Sequence, residues 1–135
     1  MEKSSFKFLG YRVSEFSMEI KDGYFANPNL KNDLSIDLRN NFFKDNNRFV
    51  EISLGIKVKN EDEGFKLNLI IKGGFEADKE ASEDLFKQLY NVNAPAILFP
   101  YARAIISSYT SQAGIPQVIL PLINLSVFPK KESVE

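Results

Sequence analysis

The chain has neither cysteine nor histidine. Without cysteine there is no disulfide, no thiolate nucleophile and no thiolate metal site. Without histidine, the commonest metal ligand and the usual general base are missing, along with the side chain that titrates near neutrality. Ser-His-Asp hydrolysis and the common zinc chemistries are therefore excluded by composition alone, and neither a cofactor nor a metal is expected. Tryptophan is absent as well. Charge of either sign is not in excess: 17 Lys+Arg stand against 18 Asp+Glu, a net charge of −1. That balance argues against nucleic acid as a partner, because nucleic-acid binders usually carry a basic surplus.

Long uninterrupted apolar runs are also lacking. The opening stretch MEKSSFKFLGYR has no continuous hydrophobic segment of the signal-peptide kind. Residues 104–129 carry no charge, but Ser107, Ser108, Thr110, Ser111, Gln112, Gly114, Pro116, Gln117, Pro121 and Asn124 interrupt them. That pattern argues against membrane insertion, so a cytoplasmic protein is expected, with this region facing other protein.

What is present is one domain's worth of chain, residues 1–135, with 44% hydrophobic and 26% charged residues. Aromatics reach 13%, and twelve of them are Phe. Val50, Ile52, Leu54, Ile56 and Val58 alternate with polar residues, as do Phe65, Leu67, Leu69 and Ile71. These are half-buried strands, and the polar run Asn60-Glu61-Asp62-Glu63-Gly64 between them predicts a hairpin. Leu34, Ile36 and Leu38 begin another strand that runs towards Phe42 and Phe43. Near the N-terminus, Phe6 and Phe8 share one phase, Tyr11 and Val13 the other, and Phe16, Met18 and Ile20 the first again. Gly10 stands at the first change of phase, where a β-bulge is expected, so this reads as one long bent strand ending near Asp22-Gly23. Asn27-Pro28-Asn29 marks the following loop.

Beyond Gly73-Gly74, read as a tight bend or bulge leaving the sheet, residues 78–91 predict a short amphipathic helix with Leu85, Phe86, Leu89 and Tyr90 on one side. Asn93 is the expected N-cap of a longer helix, with Pro95 in its first turn. Pro100 should kink that helix or delay its start, and Gly114 should end it. Its faces carry Ile97, Tyr101, Ala104, Ile105 and Ser108, and then Leu98, Ala102, Ile106 and Tyr109. Residues 115–122 are too proline-broken for a helix and too apolar for a free loop. The overall expectation is a single α+β domain.

No grouping of residues supports catalysis. Gly73-Gly74 lacks the spacing of a phosphate loop, and Glu61, Asp62 and Glu63 lack that of a calcium loop. Glu80, Glu83 and Asp84 suit the start of a helix. Arg103, a charge inside the long apolar helix, must reach a carboxylate, a carbonyl or water. The Phe-rich composition leaves two readings: a Phe-rich core, or an apolar groove for another protein.

Residues 93–128, NAPAILFPYARAIISSYTSQAGIPQVILPLINLSVF, resemble the signature region of the SecB family of protein-export chaperones. Pro95, Ile97, Leu98, Phe99, Pro100, Tyr101, Ala102 and Arg103 reproduce the family's run. Pro116, Gln117, Leu120, Asn124 and Phe128 follow in register, and Gly73-Gly74-Phe75 matches a strand exit. The resemblance implies a four-stranded antiparallel sheet with a long and a shorter helix on one face. It implies a homotetramer assembled as a dimer of dimers. It also implies a non-enzymatic, ATP-independent holdase for unfolded polypeptides, with the SecA motor as a further partner. Glu15 and Glu19 match the family's first-strand docking acids. The third-strand acidic position falls at Leu69, however, and Pro129 with residues 130–135 leaves no room for the family's terminal helix. Both departures weigh against SecA docking and towards a dedicated chaperone for one client, such as an antitoxin of a toxin–antitoxin pair. A small-ligand carrier, or an enzyme using Lys and Asp, is disfavoured, because an apolar pocket without convergent titratable groups makes a poor active site.

Two surfaces are expected. Ile97, Tyr101, Ala104, Ile105, Ser108 and Tyr109 should form contacts between copies. Phe42 and Phe43 on the second strand, Phe65 and Leu67 on the third, and Ile115, Val118, Ile119, Leu120 and Leu122 should border one client groove.

Overall fold

The computed structural model describes residues 6–135 apart from Ala26 and Pro28. Residues 1–5 of the N-terminal stretch, and Pro28 of the expected loop, lie outside the described residues. Strands β1 (Phe6–Ile20), β2 (Asn32–Phe43), β3 (Asn46–Asn60), β4 (Phe65–Ala77) and β5 (Lys130–Val134) form one sheet in the order β1-β4-β3-β2-β5. Four are antiparallel neighbours, as expected. The fifth was not foreseen: β5 runs parallel to β2, pairing Leu38 with Lys130 and Phe42 with Val134. The sheet is therefore five-stranded and mixed. Residues 130–134, where no terminal helix was expected, instead complete a sheet edge.

The alternation in the sequence maps directly onto burial. Val50, Ile52, Leu54 and Ile56 of β3 and Leu69, Ile71 and Phe75 of β4 are fully buried on the face that carries the helices. The opposite face is polar, with Arg12 paired to Glu51 at 3.1 Å and Lys131 to Asp37 at 3.1 Å. Strand β1 needs two corrections of phase to keep its apolar side chains on one face. Register shifts fall between Phe8 and Tyr11 and between Val13 and Glu15, and Gly10 takes a φ of 99° at the first. Phe8, Tyr11, Val13, Phe16 and Met18 consequently stand opposite Phe75, Gly73, Ile71, Leu69 and Leu67. The bulges turn a sequence with two phases into a strand with one apolar face.

Gly73 and Gly74 do not lead out of the sheet. They lie inside β4, and Gly73 pairs with both Tyr11 and Ile52. Their reason is close approach: a Cβ on Gly73 would stand 2.6 Å from Leu98 Cδ2 and one on Gly74 3.1 Å from Phe49 Cε2. The long helix thus settles directly on β4 where a side chain is missing.

Helix α1 (Glu83–Gln88) is shorter than expected and starts from Ser82, whose side chain accepts the Leu85 N–H at 3.1 Å. A π-helical turn (Leu89–Asn93) joins it to α2 (Ala94–Gln112). Asn93 is accordingly no N-cap: its backbone is already helical, and its side chain makes no capping bond. Pro100 lies within α2 without ending it or delaying its start. Ala96, whose carbonyl it would otherwise engage, is exposed, so that oxygen can turn to water. Gly114, at φ 78°, follows the helix end as expected.

Helix α2 buries Leu98, Phe99, Ala102, Ile106 and Thr110 against β3 and β4. The rest of that sheet face is shared between α1 with the π-turn, which bring Phe86, Leu89 and Tyr90, and residues 115–128, which contribute Val118, Leu120 and Leu125 to the core. Apart from a 3-10 turn at Leu125–Val127, this segment is pinned by side chains rather than by regular structure. The Val118 N–H donates to Thr110 Oγ1 at 2.9 Å, and that hydroxyl donates to the Ile106 carbonyl at 2.7 Å. Ser107 Oγ donates to the Val118 carbonyl at 3.1 Å, and Gln117 Nε2 to the Ser107 carbonyl at 3.2 Å.

Candidate binding surface

Around α2, the residues not in the core divide into two flanks. The first faces β1 and holds Ile97, Tyr101, Ala104, Ile105, Ser108 and Tyr109, all exposed or half-buried. Its rings pack on β1 in tilted pairs: Tyr101 lies 4.4 Å from Tyr11 between ring centroids, and Tyr109 4.6 Å from Phe16. Tyr109 nonetheless remains 53% exposed and Val13 47%. Every residue expected at a contact between copies falls on this flank, beside the edge strand β1 with apolar side chains of its own. Such a surface is costly to leave in water.

The second flank faces residues 122–126. Ala96, Pro100 and Arg103 of α2 border a cavity of about 430 Å³, completed by Val92, Phe99, Leu122, Ile123, Asn124, Leu125 and Ser126. Leu122 is 87% exposed here, and nearby Ile119 65%.

The residues expected to border one groove do not meet in one place. Phe42 and Phe43 lie beside the β2–β3 turn, whereas Phe65 and Leu67 lie beside the β3–β4 turn, on the fourth strand rather than the third. Phe42 pairs with Val50 and Leu67 with Val58, so these positions stand eight residues apart along β3, roughly 26 Å. At the first end, Phe42 meets Tyr90 edge-on at 5.0 Å, with Phe86 6.3 Å away, beside a cavity of about 380 Å³ bordered also by Asn47, Arg48, Glu83 and Lys87. Burial, with the Glu132 carboxylate second, raises the Tyr90 phenol above its ordinary pKa. Phe43 packs on Phe49 at 5.3 Å. At the other end, Phe65, Ile115 and Val118 border a smaller cavity of about 210 Å³ with Tyr24 and Leu30 of the β1–β2 connection. Phe65, Leu67, Val118 and Leu120 are themselves buried, so only Ile119, Leu122 and parts of Ile115, Phe42 and Phe43 reach solvent. Tyr24 and the 91% exposed Phe25 were missed by sequence reading, although both aromatics sit beside the expected loop and could have been marked.

Glu15 and Glu19 lie on the edge strand β1. Glu15 Oε1 accepts from Asn68 Nδ2 at 3.1 Å, and Glu19 borders a cavity of about 520 Å³ with Asp33, Lys57, Lys59 and Lys66 at its charged side and Leu34, Val58 and Leu67 among its apolar lining. Leu69 belongs to β4 and is fully buried beneath the helices, so no side chain at that position meets solvent in this fold. Among the described residues no group of three or more Asp or Glu is placed to hold a metal ion. No helix among them is long and apolar enough to cross a membrane.

A sheet covered on one face by a long helix and an irregular apolar strap, with large apolar side chains left in water on both flanks, defines an α+β protein with two exposed apolar surfaces. The profile of the family described as preprotein translocase subunit SecB matches residues 2–133. The chain belongs to the SecB family of chaperones. It is similar to an uncharacterised protein of Methanocaldococcus jannaschii, 33% identical over 128 residues, or 92% of this chain and 82% of that one. It is also similar to the protein-export protein SecB of Neisseria meningitidis, 29% identical over 125 residues, or 92% and 70% of the two chains. Among solved structures, a Mycobacterium tuberculosis SecB-like chaperone in complex with a peptide from the HigA1 antitoxin superposes with a TM-score of 0.71. That match has 11% identity and covers 88% of each chain. The likeness establishes the fold.

Proposed function

We propose that this protein is an ATP-independent holdase that keeps unfolded polypeptides from aggregating by covering their apolar segments. The observation that carries the proposal is the strap of residues 115–128. It sets Val118, Leu120 and Leu125 into the core while leaving Ile119 and Leu122 in water. A client strand laid along these side chains, and towards the aromatic group of Phe42, Phe86 and Tyr90, would exclude water from both partners. At about 25 cal/mol per Å², covering 400 Å² of apolar surface contributes about 10 kcal/mol gross, most of it offset by ordering the client. Moderate affinity with broad sequence tolerance follows.

The β1 flank of α2 supports self-association, and a homotetramer made as a dimer of dimers suits a chain with both an open edge and an exposed helix face. With Leu69 buried, Glu15 and Glu19 are the remaining candidates for docking the SecA motor. A second reading, a chaperone dedicated to one client such as an antitoxin, is favoured by the solved relative that carries an antitoxin peptide. Diluting several unrelated unfolded proteins into buffer with the chain separates the two. A general holdase suppresses the aggregation of most of them, a dedicated one that of a single partner, and suppression of none refutes both.

A further inference from the structure

The middle of the outer sheet face, turned away from the helices, carries charges that are not arranged to pair with one another. Register sets Arg12 of β1 opposite Lys72 of β4, and Arg39 of β2 opposite Lys131 of β5. Ser53 of β3 stands opposite both Lys72 and Arg39. A single row across all five strands therefore holds four cations and no acid. Like charges set directly opposite each other destabilise a sheet. Among the described residues this face has one other such pair, Lys59 with Lys66, but Asp33 and Glu19 continue that row and Glu63 lies 3.6 Å from Lys59. The end cations of the bare row, Arg12 and Lys131, reach Glu51 and Asp37 at 3.1 Å. Lys72 and Arg39 between them are half-buried, and neither side chain has an ion pair or hydrogen bond among the described residues. Beside the row at its β1 end, apolar side chains break the polar face. Leu9, 55% exposed, and Phe49 line a cavity of about 310 Å³ that Gly74, Arg12 and Lys72 also border.

We propose that this row docks an acidic segment of a partner protein. The segment lies across the strands with Asp or Glu at alternate positions, and a large apolar side chain at one end enters the cavity beside Leu9. Strands stand about 4.8 Å apart, so the row is roughly 19 Å long and takes about six extended residues, with Lys72 and Arg39 roughly 10 Å apart. Carboxylates set between neighbouring cations cancel their repulsion, so an arrangement that costs the free chain stability favours the complex. The flanking acids decide against other occupants. Glu15 and Asp37 lie one row to one side and Glu51 one row to the other. They repel a polyanion wider than a single chain, such as nucleic acid or an anionic membrane. A second copy of the chain would present the same cations and be repelled. The partner is also opposite in charge to one that Glu15 and Glu19 would dock. The inference does not rest on the holdase reading, since the row lies on the sheet face away from the strap.

The test uses the full chain and two labelled peptides with blocked termini, each with one terminal Leu and either Glu or Gln at alternate positions. Fluorescence anisotropy should show the Glu peptide bound roughly tenfold more tightly, two half-exposed cations each gaining a partner. The preference should shrink as salt rises from about 0.05 to 0.5 M, in line with the shorter Debye length. The Arg39→Gln, Lys72→Gln double variant should bind both peptides alike, whereas Lys57→Gln, on the same face outside the row, should keep the preference. Leu9→Ser should weaken both peptides and leave their ratio unchanged. With like-charge repulsion relieved, the double variant should unfold at the same or a higher urea concentration, and its suppression of client aggregation should match that of the unaltered chain. If the double variant fails to fold, the two peptides on the unaltered chain at low and high salt still decide. Equal binding of the two peptides, binding of neither, or a preference that survives in the double variant overturns the proposal. So does a short single-stranded oligonucleotide or a phosphatidylserine vesicle that binds more tightly than the Glu peptide and is lost in the same variant, since the row would then serve a polyanion. A double variant that unfolds at clearly lower urea overturns it too, because the cations would then be holding the sheet.

Discussion

Strand β1 forms one edge of the sheet as the first strand in its order, and its helix-side face carries Tyr11, Val13 and Phe16 against exposed rings of α2. Strand β2, at the other side of the sheet, is closed by the charged β5, and the strap of residues 115–128 lies over the neighbouring core. The first region is preformed, broad and held by regular elements. The second is assembled from a mostly irregular segment, fixed at one end by Thr110, Ser107 and Gln117 and at the other by a 3-10 turn (Leu125–Val127) bonded to Lys130, with Ile119 and Leu122 left exposed between them. A rigid apolar face suits a partner of fixed shape, which a second copy of the chain provides. An irregular strap, whose local stability rests on few bonds, suits partners of varied sequence. The contrast is the ground for proposing assembly on the β1 side and client holding on the strap side.

Breaking the first region should produce the largest effect. Ile105→Asp places an unpaired charge in the proposed contact between copies, which costs several kcal/mol and should leave a smaller species by light scattering. Its circular dichroism should stay unchanged, because Ile105 is only partly buried within one chain. Next in size is Thr110→Val. It removes the acceptor of the buried Val118 N–H and should lower stability by about 1–3 kcal/mol in urea unfolding, while loosening the strap. Ile119→Ser and Leu122→Ser should hardly change stability, since both side chains are already in water, yet together weaken client binding roughly three- to tenfold in a peptide titration. The smallest change belongs to Lys131→Ala. Its ion pair with Asp37 is more than half exposed on both sides, so the loss should stay within about 0.5 kcal/mol. With no histidine or cysteine in the chain, assembly and client binding should also be level between pH 6 and 8.

The first region was readable in the sequence almost entirely. Strict alternation marked β3 and β4, the phase change at Gly10 marked a bulge, and the helical spacing of Ile97, Tyr101, Ile105 and Ser108 marked a face too apolar for water. Local pattern decides these features, so one sequence suffices. The second region was readable only in part. That residues 115–122 must lie over something apolar followed from their composition, but where they lie depends on side-chain bonds to Thr110 and Ser107 that no periodicity announces. Strand β5 reads as polar chain end, and only its pairing with the distant β2 makes it a strand. Gathering Phe42 and Phe65 into one groove ignored a signal that was present: the two flank different turns of the same strand β3 and must sit at opposite ends of it. Gly73 was read for its conformational freedom, whereas the structure uses its lack of a side chain to seat Leu98.

The central claim is that the folded chain holds unfolded polypeptide through the exposed side chains of its strap, and light scattering of a denatured client tests it most directly. A client diluted from denaturant into buffer should stay clear with a stoichiometric amount of the unaltered chain, and become turbid sooner with the Ile119→Ser, Leu122→Ser double variant, although both proteins are equally folded and assembled. Equal protection by the two would move the binding surface away from the strap. Absence of protection by the unaltered chain, for every client tried, would contradict the chaperone reading itself.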